Sequence, residues 1–228
     1  MSCRVFFEQC FSVLLLLCGA GCGYHPTNLP ELAAQGTVIR VACLGDSLTV
    51  TGGSNCYPVR LAQSLGPRWD VRNFAVSPGA TALSIGDTPY LKSSQYREVL
   101  RWAPHAVLIL LGTNDSKPRH WYYKKEFAED YRRLVRELKG LPSRPNIWVV
   151  FPPPAFHGQW GVRDSVIREE VIPLLRKIAR KEGVFTLDMY SVFEGHSEMF
   201  PDQIHPDDRG VALMADAFYQ CLSGMGVR

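Results

Sequence analysis

The sequence predicts an α/β fold in which a five-stranded parallel sheet carries helices on both faces. Short apolar, β-rich runs alternate with longer amphipathic stretches along the chain. The runs are mostly continuous rather than alternating, as strands covered on both faces require. Turn residues join each run to the stretch after it, and no solenoid-length repeat interrupts the order.

Strands are expected over 37–44, 70–75, 106–111, 146–151 and 184–187, and helices over 57–65, 93–102, 124–138, 164–181 and 207–222. In the third helix Phe127, Tyr131, Leu134, Val135 and Leu138 recur at helical spacing, with Lys, Arg and Glu filling the other face. That apolar stripe should pack on the sheet. Pro142 and Pro145 bracket the turn before the fourth strand, and Gly183 stops the fourth helix. Pro173, inside that helix, predicts a kink or break.

With 228 residues the chain has room for one well-buried core. Its 25 basic and 22 acidic residues nearly cancel, and no basic stripe suggests nucleic acid as a partner. At the N-terminus Arg4 precedes an apolar stretch from Phe11 to Cys18, then Gly19, Ala20 and Gly21, an order that reads as an export signal. Glu8 and Gln9 interrupt it, and the stretch falls short of the roughly 20 residues a membrane-spanning helix needs. Cys22 resembles a lipoprotein acylation site, although Gly19 stands where that motif wants a Leu-like residue; plain secretion, with cleavage between Cys18 and Tyr24, is the simpler reading. The expected organisation is a signal peptide over 1–21, a short polar lead over 22–36 and one domain over 37–228. The protein would be secreted, periplasmic or anchored through a lipid on Cys22, with membrane contact only in the last case. Cys43, Cys56 and Cys221 belong to the mature domain, where a Cys43 to Cys56 bridge is one option and burial as small apolar residues the other.

In a parallel sheet, ligands gather beyond the carboxyl ends of the strands. The first strand ends in Gly45-Asp46-Ser47-Leu48, which puts a hydroxyl there. A serine nucleophile needs a base within reach and donors for the oxyanion it creates. The second strand runs into Asn73-Phe74-Ala75-Val76-Ser77-Pro78-Gly79-Ala80-Thr81, where Gly79 lets a backbone N–H approach a ligand closely. The third ends in Gly112-Thr113-Asn114-Asp115, and Asn114 offers an uncharged amide donor. Asp202-Gln203-Ile204-His205-Pro206 precedes the last helix; His205 can take and return a proton, and Asp202 can reach its other ring nitrogen. Each feature alone is better explained as a turn, a cap or a structural histidine.

Together, in type and order, these blocks resemble those of the SGNH or GDSL hydrolase family, over nearly the whole mature chain. The resemblance implies a flavodoxin-like three-layer α/β/α sandwich. It implies Ser47 as nucleophile, the N–H groups of Ser47 and Gly79 with the Asn114 side chain as oxyanion hole, and Asp202 with His205 as the rest of a triad. No cofactor and no metal is implied. The second block departs from the usual Asn-x-Gly-x-Ser-Gly: Ala75 replaces the first Gly and Pro78 is inserted before the second, which makes the position of the Gly79 N–H the open question. Asn114-Asp115-Ser116 also matches a glycosylation pattern, read here as coincidence because an amide in the pocket cannot carry a glycan.

Other chemistries have less support. Thr49 breaks the Gly-x-Ser-x-Gly elbow, no phosphate-binding glycine motif follows a strand, and the histidines lack ligand spacing. Asp115 with Asp202 could be imagined as a glycosidase pair, but His205 beside Asp202 favours the triad. Asp46, Lys117, Trp121, Phe156 and Trp160 are the candidate substrate-binding residues, the aromatics for stacking on a sugar ring and Lys117, with Lys92 and Arg119, for a sugar carboxylate. The stretch from Asn73 through Trp121, with the Pro152-Pro153-Pro154-Ala155-Phe156 loop, looks like the family branch of carbohydrate acetylesterases, including sialate O-acetylesterases. The substrate expected is therefore a small-molecule or glycan ester. A lipid acylhydrolase such as a lysophospholipase is the alternative enzyme, and a non-catalytic exported glycan-binding module the alternative of another class.

Overall fold

The computed structural model describes residues 26–224; the expected leader, its expected cleavage region and Cys22 lie outside them. The five strands are β1 (Ile39–Gly45), β2 (Trp69–Asn73), β3 (Ala106–Leu110), β4 (Asn146–Phe151) and β5 (Phe185–Asp188). All pair in parallel in the order β2-β1-β3-β4-β5. Among the described residues the helices are α1 (Leu29–Ala34), α2 (Ser47–Val50), α3 (Tyr57–Leu65), α4 (Ser94–Trp102), α5 (Pro118–Trp121), α6 (Lys124–Lys139), α7 (Asp164–Val166), α8 (Ile172–Glu182), α9 (Met189–Phe193) and α10 (Asp208–Leu222).

Alternate residues of each central strand enter opposite cores, because successive side chains of a strand point to opposite faces. Ala42, Leu44, Val107, Ile109, Ile147 and Val149 pack under α4, α6 and α8. Val41, Cys43, Leu108, Leu110, Trp148 and Val150 pack under α1, α3, α9 and α10. The result is the three-layer α/β/α sandwich the sequence predicts. The expectation of strands buried on both faces holds for β3 and β4 throughout and for β1 apart from half-buried Arg40; β2 and β5, at the edges, are half-buried or exposed.

Two details differ from expectation, and at the cysteines the structure takes one of the two options, burial. The polar lead is not all lead: Asn28 caps α1 by accepting from Glu31 N–H, and Leu29 and Ala33 are buried in the second core, so the folded unit begins before residue 37. The kink or break expected at Pro173 is a π-helical turn at Ile167–Val171, which runs directly into α8 and accommodates a proline that has no N–H to donate to the preceding turn. The Cys43 to Cys56 bridge is not formed. Cys43, Cys56 and Cys221 are free thiols, and burial pushes Cys43 well above the ordinary thiol range.

β1 pairs with β2 on one side and β3 on the other, so chain order reverses at the β1/β3 boundary. Gly45 lies level with Leu110. The loops that leave β1 and β3 therefore open side by side over one crevice, the usual ligand position in such sheets.

Candidate active site

As β1 ends, Asp46 leaves the extended conformation and caps α2, its Oδ1 accepting from the Leu48 N–H at 3.0 Å. That cap turns the chain and sets Ser47 as the first helical residue. Its hydroxyl stands 2.8 Å from His205 Nε2. His205 Nδ1 lies 2.8 Å from Asp202 Oδ2, while Asp202 Oδ1 accepts from the N–H groups of Ile204 (3.0 Å) and His205 (2.6 Å). Partial burial raises the Asp202 carboxyl, but these bonds outweigh it and hold it below the ordinary carboxylate range. A carboxylate on Nδ1 keeps that nitrogen protonated, which leaves the Nε2 lone pair free for the serine proton.

Asn114 opens the turn after β3. Its Nδ2 donates to Asp46 Oδ2 at 3.1 Å and to Ala80 O at 3.2 Å. Its neighbour Asp115 accepts from the N–H groups of Ala82 (3.1 Å) and Leu83 (2.9 Å). The two adjacent side chains therefore pin the loop after β2 against the loop after β3. In that loop the Ser77–Pro78 bond is cis and Gly79 has φ +73°, a backbone conformation that favours glycine. Among the described residues the N–H groups of Ser47 and Gly79 have no hydrogen-bond acceptor.

Two buried acids underlie the site. Burial pushes Asp46 up to about 7, against the opposing bond from Leu48. Burial likewise pushes Asp115 to about 6, against the bonds from Leu83 and Ala82. His120 is also buried, its Nδ1 donating to Asn114 O at 2.8 Å. Its Nε2 lies 3.3 Å from Asp87 Oδ2, within ion-pair reach but not aligned as a hydrogen bond, and the same carboxylate oxygen pairs with Arg119.

Ser47, Pro78, Gly79, Thr113, Asn114, Lys117, Trp160, Val162 and Ile204 line a cavity of about 250 Å³ beside the serine. Trp160 is 60% exposed at its mouth, with its ring centroid 5.5 Å from that of His205. Ser47, Asp202 and His205 thus meet, and Gly79, Asn114, Lys117 and Trp160 border the same space. Three expected substrate residues do not. Trp121 is buried edge-on against Phe127 at 5.2 Å, because the apolar side of α5 turns toward α6. Phe156 packs on Phe200 at 5.1 Å in the second core. Asp46 is fully buried, its carboxylate spent on Leu48 and Asn114. Sequence reasoning missed Thr113, Val162 and Ile204 as lining, and Asp115 and His120 as supports. Thr113, Asp115 and Ile204 carried a signal, since they stand inside blocks already singled out; Val162 and His120 carried none.

Comparison with known proteins agrees with this architecture. The model of the GDSL-like lipase/acylhydrolase family matches residues 43–213. An acetylxylan esterase of Xylanibacter ruminicola is 33% identical in an alignment 224 residues long that covers 85% of this chain; the chain spans 46% of that relative's length. The crystal structure of the acetyl xylan esterase AlAXEase superposes with a TM-score of 0.67 at 17% identity, covering 80% of this chain and 99% of that one. The aryl esterase of M. smegmatis gives a TM-score of 0.66 at 21% identity, covering 82% of this chain and 100% of that one. At such identities the two structures speak for the fold alone. The family model's match over residues 43–213, taken with that sequence relative, shows that the chain belongs to the GDSL-like lipase/acylhydrolase family.

Proposed function

We propose that this chain is a serine ester hydrolase that removes acetyl groups from a carbohydrate through an acyl-enzyme. One observation carries the reading: Ser47, His205 and Asp202 form an unbroken line of 2.8 Å contacts that ends at a small cavity. Ser47 Oγ attacks the ester carbonyl as His205 Nε2 takes its proton, and the tetrahedral oxyanion collapses by expelling the sugar hydroxyl, which receives that proton. Water then attacks the acetyl-serine with His205 again as base, releasing acetate and restoring the hydroxyl. The N–H groups of Ser47 and Gly79 and one N–H of Asn114 would receive the oxyanion. Asn114 meets that demand by sharing a hydrogen now directed to Asp46 or Ala80.

A cavity of about 250 Å³ suits an acetyl group and part of a sugar better than a long acyl chain. The acetylxylan esterase relative supports the same choice, and the leader-like N-terminus supports action outside the cytoplasm. Nitrophenyl acetate and nitrophenyl decanoate separate the readings. Turnover of acetate, weak turnover of decanoate and loss of both in Ser47→Ala are expected; decanoate preferred over acetate would overturn the acetyl assignment.

A further inference from the structure

Lys117 is the one charged side chain among the residues that line the cavity beside Ser47. It leaves the short turn that Asn114 opens, and its backbone N–H donates to Asn114 O at 3.3 Å, so its place relative to the proposed oxyanion site is fixed by the chain itself. The residue is half-buried, and its ammonium group makes no ion pair among the described residues. Nearby acids are committed elsewhere: Asp87 to Arg119, Asp46 to Leu48 and Asn114, Asp115 to Ala82 and Leu83. Burial, and then the Arg119 charge, hold the lysine below its ordinary range against the opposing pull of Asp87, Asp46 and Asp115, none of which reaches ion-pair distance, so the cost of burying the cation is only partly offset.

An anion delivered with the substrate would relieve that cost. The cavity holds one ammonium group and no arginine fork, since Arg119 is taken by Asp87, and this suits a monoanion better than a phosphate. Exposed Trp160 at the mouth offers a face for a pyranose ring. Resting on the acetylesterase reading above, we infer that Lys117 is a specificity-determining residue, selecting acetyl esters on sugars that carry a carboxylate, of the uronic acid type.

The test uses acetylated oligogalacturonides as carboxylates and the same oligosaccharides with their carboxyls converted to primary amides. The full chain should show a KM about tenfold lower for the acidic form at low ionic strength, the advantage shrinking as salt is added. Lys117→Gln should bring the two KM values within about twofold, and Lys117→Arg should keep most of the difference. Equal KM values in wild type, beside normal hydrolysis of nitrophenyl acetate, would overturn the inference and leave the esterase reading standing. A preference that survives in Lys117→Gln would also overturn it, as would a variant that loses kcat on both forms while its KM ratio stays unchanged. No Ser47-dependent hydrolysis of any acetyl ester would bring down both readings together.

Discussion

His205 Nε2 lies 2.8 Å from Ser47 Oγ although 158 positions separate the two residues. Asp202 holds the other side of the ring with one oxygen and the backbone N–H groups of Ile204 and His205 with the second. Asp202→Asn therefore has a defined consequence. The amide oxygen can keep the backbone bonds, which turns the amide nitrogen toward Nδ1 and stabilises the tautomer protonated on Nε2. That tautomer cannot accept the serine proton. On nitrophenyl acetate kcat should fall by about 10³ to 10⁴ with the fold intact by circular dichroism. A loss below tenfold would exclude Asp202 as the group that orients the base.

Asn114→Ala tests the proposed oxyanion donor. Removal of one such donor costs about 10² to 10³ in kcat while KM changes little, because the lost bond forms only as charge develops on the carbonyl oxygen. Steady-state kinetics on nitrophenyl acetate would show the split. A variant with wild-type kcat would exclude the role.

The sheet, its five major helices and the residues that meet at its edge were legible because each rests on local pattern: apolar runs for β1, β3 and β4, helical periodicity for α6, and turn motifs at strand ends. α1 was not, because Leu29 and Ala33 sit among prolines and polar residues and are fixed by tertiary burial in the second core. Trp121 and Phe156 were misread for the same reason in reverse: an aromatic in a loop carries no sign of which way it faces. The support that His120 gives the Asn114 carbonyl depends on the turn at 114–121, which no spacing rule encodes.

Gly45 is required for space. A Cβ at this position would overlap Thr49 Oγ1 and meet the Leu110 carbonyl at 3.0 Å, where β1 lies against β3. Gly45→Ala should destabilise the fold by about 2 to 4 kcal/mol in urea unfolding, as overpacking in a buried site does. Adding Thr49→Ala should recover part of the loss by removing the hydroxyl. If Gly45→Ala is as stable as wild type, the strand ends are looser than described.

The buried acids beneath the site set an unusual pH dependence of stability. Burial raises Asp46 to about 7 and Asp115 to about 6, whereas carboxylates in the unfolded chain titrate near about 4. Between roughly pH 4 and 7 the native state thus holds protons that the unfolded chain has released, and stability must fall as pH rises through this window. His105 opposes the trend: burial, helped by Arg40, lowers its pKa, so its contribution is full above about pH 6.5 and shrinks as pH falls. Asp202, raised by burial but lowered further by the His205 and Ile204 bonds, and Asp207, lowered by the Gly210 N–H, contribute stability that is lost only in more acidic solution. Two raised acids against one lowered histidine leave a net loss of about 1 to 3 kcal/mol from pH 5.5 to 7.5 in urea unfolding. Asp46→Asn should remove at least half of that slope; the slope is the readout, since the amide also alters the contact with Asn114. Wild-type stability that rises across this interval would mean that these carboxyls are ionised in the folded protein and that the site carries their full negative charge.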